Sequence, residues 1–172
     1  MTSPTEPFDQ IREKISGYIL SESSFRGESS FIVASASIVK CCSRLKNTLG
    51  FTYLADLTVV DYLTVKFPRY EVVYLLHRFG DSYEENLRIR LKVALEQDDP
   101  AIDSVTSVWS GANWLEREAY DMFGITFRGH PDPRRILMPD DYDHFPLRKD
   151  FDVRDRESSK RCFKRALDEG LE

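Results

Sequence analysis

The sequence predicts an α+β fold, a two-layer sandwich of order α-β-β-α-β-β-β followed by a helix and a long extended C-terminal arm. Three observations predict it. Apolar residues before Gly50 recur mainly at helical intervals, and after Phe51 the period shortens to two through three strand-like runs. The turns joining those runs suit antiparallel neighbours, which leaves the helices to cover one face of a mostly antiparallel sheet. With 172 residues, 41% of them hydrophobic, the chain can also bury a core without covalent staples.

Phe8, Ile11, Ile15, Tyr18 and Ile19 follow Thr5 and Pro7 at helical spacing, so 7–20 reads as an amphipathic helix. Residues 23–26 and 30–33 flank Gly27 as a short strand pair. Ile38, Cys41, Cys42, Leu45 and Leu49 define a second helix, with Ser35 or Ser37 suited to its N-cap and Gly50 to a left-handed C′ position. Strands are expected at 52–62, 69–79 and 87–95. In the last, Leu87, Ile89, Leu91 and Val93 alternate with Arg88, Arg90, Lys92 and Ala94, giving an inward apolar face and an outward basic one. After 102–109 a third helix runs from Gly111 to Phe123 and stops at Gly124, with Arg117 and Asp121 at i, i+4 spacing.

Prolines 131, 133, 139 and 146 make 125–151 extended chain. Disordered segments are poor in apolar residues, yet this one carries Phe127, Ile136, Leu137, Met138, Tyr142, Phe145, Leu147 and Phe151. A proline-stiffened segment with such anchors loses less entropy on docking and suits a surface laid across another protein. The division expected is therefore 1–124, the α+β domain with the third helix, and 125–172, an extended arm and polar helical tail for partner binding. Cys162, Phe163, Ala166 and Leu167 fall on one side of that tail. The charge agrees with this division: residues 1–124 hold 13 basic and 18 acidic side chains, which is the whole net charge of −5, whereas 125–151 balance at 5 and 5.

An acidic chain with 24 Lys and Arg against 29 Asp and Glu is not built to neutralise a phosphate backbone, so nucleic acid is not an expected partner. Its apolar runs are too short to span a membrane, and the first ten residues have neither a signal-peptide core nor a transit peptide's arginines. Cys41 and Cys42 are adjacent and Cys162 is remote; without C-x-x-C spacing they read as core thiols rather than metal or cluster ligands. Asp140, Asp141, Asp143 and His144 would serve a metal-dependent hydrolase, but lack the twelve-residue calcium-loop spacing, and a salt-bridged turn is the plainer reading. His130 has no nucleophile motif beside it, and no glycine-rich phosphate loop is present.

The run Glu116-Arg117-Glu118-Ala119-Tyr120-Asp121-Met122-Phe123, followed by His130, Arg134 and Ile136, resembles the signature of the 30 kDa-type subunit (the C-type subunit in bacterial naming) of respiratory complex I, the NADH:quinone oxidoreductase. The flanks agree: Gly111-Ala112-Asn113-Trp114 before it, and after it 135–142 and Pro146-Leu147-Arg148-Lys149-Asp150-Phe151. The resemblance covers most of 7–151 and departs at Asp152, where the family commonly has proline. It implies a cofactor-free, non-catalytic subunit of the peripheral arm, packed against the D-type (49 kDa-type) and B-type subunits. FMN and the iron–sulfur clusters that carry electrons from NADH to quinone would sit in partner subunits. Membrane association would come only through partners, on the cytoplasmic side of the bacterial inner membrane. The same likeness implies partner-interface roles for Glu116, Arg117, Asp121, His130, Arg134, Arg135, Arg148 and Asp150, and no catalytic residue. Equivalent subunits of ferredoxin:plastoquinone complexes, F420H2 dehydrogenases and membrane-bound hydrogenases remain alternatives.

Overall fold

The computed structural model describes residues 6–152 together with 154, 160 and 164. Over residues 6–152 three α-helices and seven strands follow one another as α1 (Glu6–Ile15), β1 (Ile19–Phe25), β2 (Glu28–Val33), α2 (Ile38–Leu49), β3 (Tyr53–Asp61), β4 (Tyr70–Arg78), β5 (Leu87–Leu95), β6 (Ala101–Asp103), α3 (Ala112–Phe123) and β7 (Thr126–Arg128). Of the predicted tail helix only Lys160 and Lys164 are described, both helical; the rest lies outside the described residues.

The expected α+β order holds, with two shifts of boundary. The first helix ends at Ile15, and Ile19 opens β1 opposite Val33 instead of continuing the helix. Gly17 is a poor helix former, and Ser16 bonds back to the Glu13 carbonyl, closing the helix there. The hairpin then turns on Arg26 and Gly27, both at positive φ (51° and 80°), the two-residue geometry that matches strand twist. At α2 the N-cap position is Ser37, but its side chain caps nothing; a short 3-10 turn at Ser35–Ser37 leads into the helix instead.

Five strands form one sheet in the order β1-β2-β5-β4-β3. All pairs are antiparallel except β2 with β5, which run parallel with Phe31 beside Leu91. α2 lays Cys41, Cys42 and Leu45 into the core, where they meet the inner sheet face that includes Tyr74, Leu76, Leu91 and Val93. Burial pushes the Cys41 thiol up to about 12, as for an inert core thiol. The basic face of β5 points outward as expected and is ion-paired: Arg88 and Arg90 to Glu28, and Lys92 to the buried Glu71. Among the described residues no helix is long and apolar enough to cross a membrane.

The segment after Gly124 begins differently from the extended arm expected. Thr126–Arg128 pairs in parallel with Ala101–Asp103, and Ile125 and Phe127 are buried in the same core as the sheet. A hydrophobic alternation of only three residues is too short to be read as a strand without its partner.

Candidate functional site

α3 packs along β3 and presents the signature residues to the chain that follows it. The α3 residues whose side chains are fully enclosed include two acids, Glu116 and Asp121. The arm is built around them.

Asp121 is the arm's internal anchor. Its Oδ2 accepts the backbone N–H groups of Ile136, Leu137 and Met138 at 3.0, 2.7 and 2.9 Å, and its Oδ1 accepts Arg135 Nη1 at 2.6 Å. Burial pushes this carboxyl up, but the three amides and the guanidinium outweigh it and hold it below the usual carboxylate range. Arg135 reaches on to the carbonyls of Tyr142 and His144, at 2.5 and 3.4 Å. Arg117 does not pair with Asp121. It donates to the carbonyls of Arg134 and Arg135 at 3.0 and 2.9 Å and faces Asp132 at 3.2 Å, because the arm supplies closer acceptors than the helix's own next turn.

Glu116 sits one turn earlier. Its Oε1 accepts the Val105 N–H at 2.7 Å, while its Oε2 has no hydrogen-bond partner and lies 3.9 Å from His130 Nε2. Burial pushes this carboxyl up to about 7, against hydrogen bonds from Ser104 and Val105. His130 Nδ1 accepts the Asp132 N–H at 3.0 Å, so its proton is on Nε2, which donates to the Asn113 carbonyl at 3.1 Å. The ring is thus a structural tie between α3 and the arm, and its Nε2 lies beyond hydrogen-bond distance of Glu116 Oε2.

Past the turn at Tyr142, Arg148 donates to the Phe123 carbonyl at 2.6 Å and stacks on Phe145, 4.3 Å from the ring centre, while Arg135 covers the same ring at 5.2 Å. The arm then reaches the loop end of the β3–β4 hairpin. There Asp61 and Arg69 form a buried two-pronged pair at 2.9 and 2.8 Å, Asp61 accepts the N–H of Lys149, and Arg69 reaches Asp150 at 3.0 Å. Arg69, with Lys149 and Leu63 N–H, holds Asp61 down at about 2 against the effect of burial.

The eight signature and flanking residues are therefore brought to one stretch of α3, the arm and the hairpin end, but in two classes. Glu116 and Asp121 offer no surface, and Arg117, His130, Arg135 and Arg148 direct their polar atoms within the chain. Arg134 and Asp150 are open, with side chains 74% and 50% exposed. Asp61 and Arg69 had no sequence signal; the acid and base are eight residues apart in the chain and meet only through the β3–β4 register. Among the described residues no three His, Cys, Asp or Glu side chains converge as a metal site.

Residues 31–157 match the family described as respiratory-chain NADH dehydrogenase, 30 kDa subunit. The chain is 45% identical over 142 residues to the C-type subunit of NADH-quinone oxidoreductase from Geobacter metallireducens, covering 83% of this chain and 85% of that one. It is 46% identical over 153 residues to the corresponding subunit of Geotalea uraniireducens, covering 88% and 90%. Among solved structures it resembles the trypsin-resistant fragment (1–134) of Nqo5, with a TM-score of 0.64 at 32% identity, over 76% of this chain and 99% of the fragment. It also resembles a chain of the membrane-bound sulfane sulfur reductase, an archaeal respiratory membrane complex, with a TM-score of 0.74 at 26% identity, over 92% and 90%.

Proposed function

The chain belongs to the family of the 30 kDa subunit of the respiratory-chain NADH dehydrogenase, and on that premise we propose that it is a non-catalytic, cofactor-free scaffold of the peripheral arm of NADH:quinone oxidoreductase. Electrons would pass from NADH through FMN and iron–sulfur clusters to quinone in neighbouring subunits. This chain would present its arm to the D-type and B-type subunits on the cytoplasmic side of a bacterial inner membrane and be held there by them. The observation that carries the reading is the arm itself: 129–151 is locked onto α3 by Asp121, Arg135 and Arg148, yet leaves Leu137, Leu147 and Trp114 exposed at 63%, 53% and 62%. A prefolded strap with open apolar side chains docks without paying for its own ordering.

In this reading the eight residues divide their work. Arg134 and Asp150 meet partners, and Glu116, Arg117, Asp121, His130, Arg135 and Arg148 shape the surface that does. The arm, 129–152, and the tail beyond it act as the docking unit of the 125–172 division, with β7 belonging to the body. Affinity capture of the tagged chain tests the whole reading: subunits of NADH:quinone oxidoreductase should be recovered with it, and recovery of none would overturn it. Arg134→Ala should lower the amount of assembled complex without lowering turnover per complex. Full assembly with slower turnover would instead assign Arg134 a part in the chemistry. The likeness to the sulfane sulfur reductase supports a second reading, an equivalent subunit of a related respiratory complex, which the identity of the captured partners distinguishes.

A further inference from the structure

Between α3, β7 and the start of the arm lies a pocket of about 270 Å³ whose wall the arm's locking contacts do not fill. Tyr120, Phe127 and Pro133 make it mostly apolar, and Arg117 and His130 close its sides. Glu116 also lines it, fully buried and with Oε2 lacking any hydrogen-bond partner. A buried polar atom without a partner is rare in folded proteins, and a hydroxyl brought to it would lower the cost of its burial. Resting on the scaffold reading above, we propose that this pocket is a socket for one tyrosine side chain of a neighbouring subunit, its ring against Tyr120, Phe127 and Pro133 and its hydroxyl toward Glu116.

The chemistry of the walls selects this occupant. A lysine is disfavoured because Arg117 already places a cation on the wall, with Asp132 as its ion partner outside. A leucine or phenylalanine would fill the volume but leave Glu116 Oε2 as it is. Because burial pushes Glu116 up to about 7, both its protonated and ionised forms are present near neutrality. A hydroxyl both donates and accepts, so it satisfies either form, and tyrosine attaches one to an aromatic body. Aromatic anchors of this kind are what protein interfaces concentrate in their central pockets.

The full chain, labelled for NMR, is titrated with p-cresol, toluene and n-butylammonium as mimics of tyrosine, phenylalanine and lysine, reading the amides of Tyr120, Thr126 and Phe127. p-Cresol should shift them and bind at least about tenfold tighter than toluene at both pH 6 and pH 8. Equal binding of toluene, tighter binding of n-butylammonium, or no shift overturns the inference. Thr126→Phe, from an exposed lining position on β7, fills the socket from its mouth. It should abolish p-cresol binding while the amides of β5 stay unshifted, and should cut the partner subunits recovered with the tagged chain at least fivefold. If wild type and Thr126→Phe recover partners equally, the socket is not used and the scaffold reading stands. If wild type recovers none, it is the scaffold reading that fails.

Discussion

Glu116 and Asp121, five residues apart on α3 and both fully buried, are driven in opposite directions by what surrounds them. Asp121 has three amides and a guanidinium, which hold it below the usual carboxylate range; burial raises Glu116 to about 7 against only the Val105 amide and the Ser104 hydroxyl, with Oε2 unpartnered. For an acid raised above its unfolded value near 4.5, the folded state holds the extra proton between about pH 4.5 and 7, so stability falls as pH rises through that window. Glu116→Gln cannot ionise. Its stability relative to wild type should therefore improve from pH 5 to pH 8, by on the order of 2–3 kcal/mol, and parallel pH profiles in urea unfolding would refute the assignment. Asp61, held at about 2 from 3.8, has the opposite sign: its contribution is complete above about 3.8 and is lost as pH falls through 2. Gly124 is a second residue fixed by its surroundings. Its φ is +74°, and a Cβ there would lie 2.5 Å from Arg148 Nη2 and 2.7 Å from the Phe145 ring, both held by the arm. Gly50 has a similar φ of +76° but only ordinary contact with Arg78, at 3.4 Å. Gly124→Ala should accordingly cost about 2–3 kcal/mol and Gly50→Ala about 1; equal costs on denaturant unfolding would mean the arm yields at that point.

Among the elements, the arm is the one whose character depends on contacts made far along the chain. It is tied along its length: at the start by His130 to Asn113, in the middle by the amides of 136–138 to Asp121, then by Arg148 to the Phe123 carbonyl, and at the end by Lys149 and Asp150 to the Asp61–Arg69 pair. These ties differ in strength because they differ in burial. Asp61 and Arg69 have side chains only 1% and 5% exposed, and removing one partner leaves the other charge enclosed, whereas Asp150 is half in water. Asp61→Ala should destabilise the chain by about 3–5 kcal/mol, and Asp150→Ala by less than about 1 kcal/mol. A larger loss for Asp150 in thermal or denaturant unfolding would show that the arm's end carries more of the fold than its exposure implies. α1 shows how an element's length escapes periodicity. Tyr18 and Ile19 keep helical spacing, but the pairing of Ile19 with Val33 takes the chain into the sheet.

At the scale of the whole molecule, the chain divides into a closed two-layer body and a strap laid over its third helix. The sequence by itself determined the body: amphipathic spacing placed α2 and α3 to within a residue or two, the alternation in β5 set its inner and outer faces, and Gly50 and Gly124 sit in the left-handed C-caps their type requires. It also carried the family, through a signature whose residues lock one arrangement of α3 and arm. Tertiary structure alone decided what those residues do. Arg117 and Asp121, spaced as an ion pair within a helix, each found better partners in the arm, and Glu116 and Asp121 turned inward although a charged signature suggests a surface. The parallel pairing of β2 with β5 and of β6 with β7 likewise joins segments that no local pattern connects. Local periodicity records which face of an element is apolar. Which carboxylate is buried, and with how many donors, depends on chain that arrives from more than ten residues away.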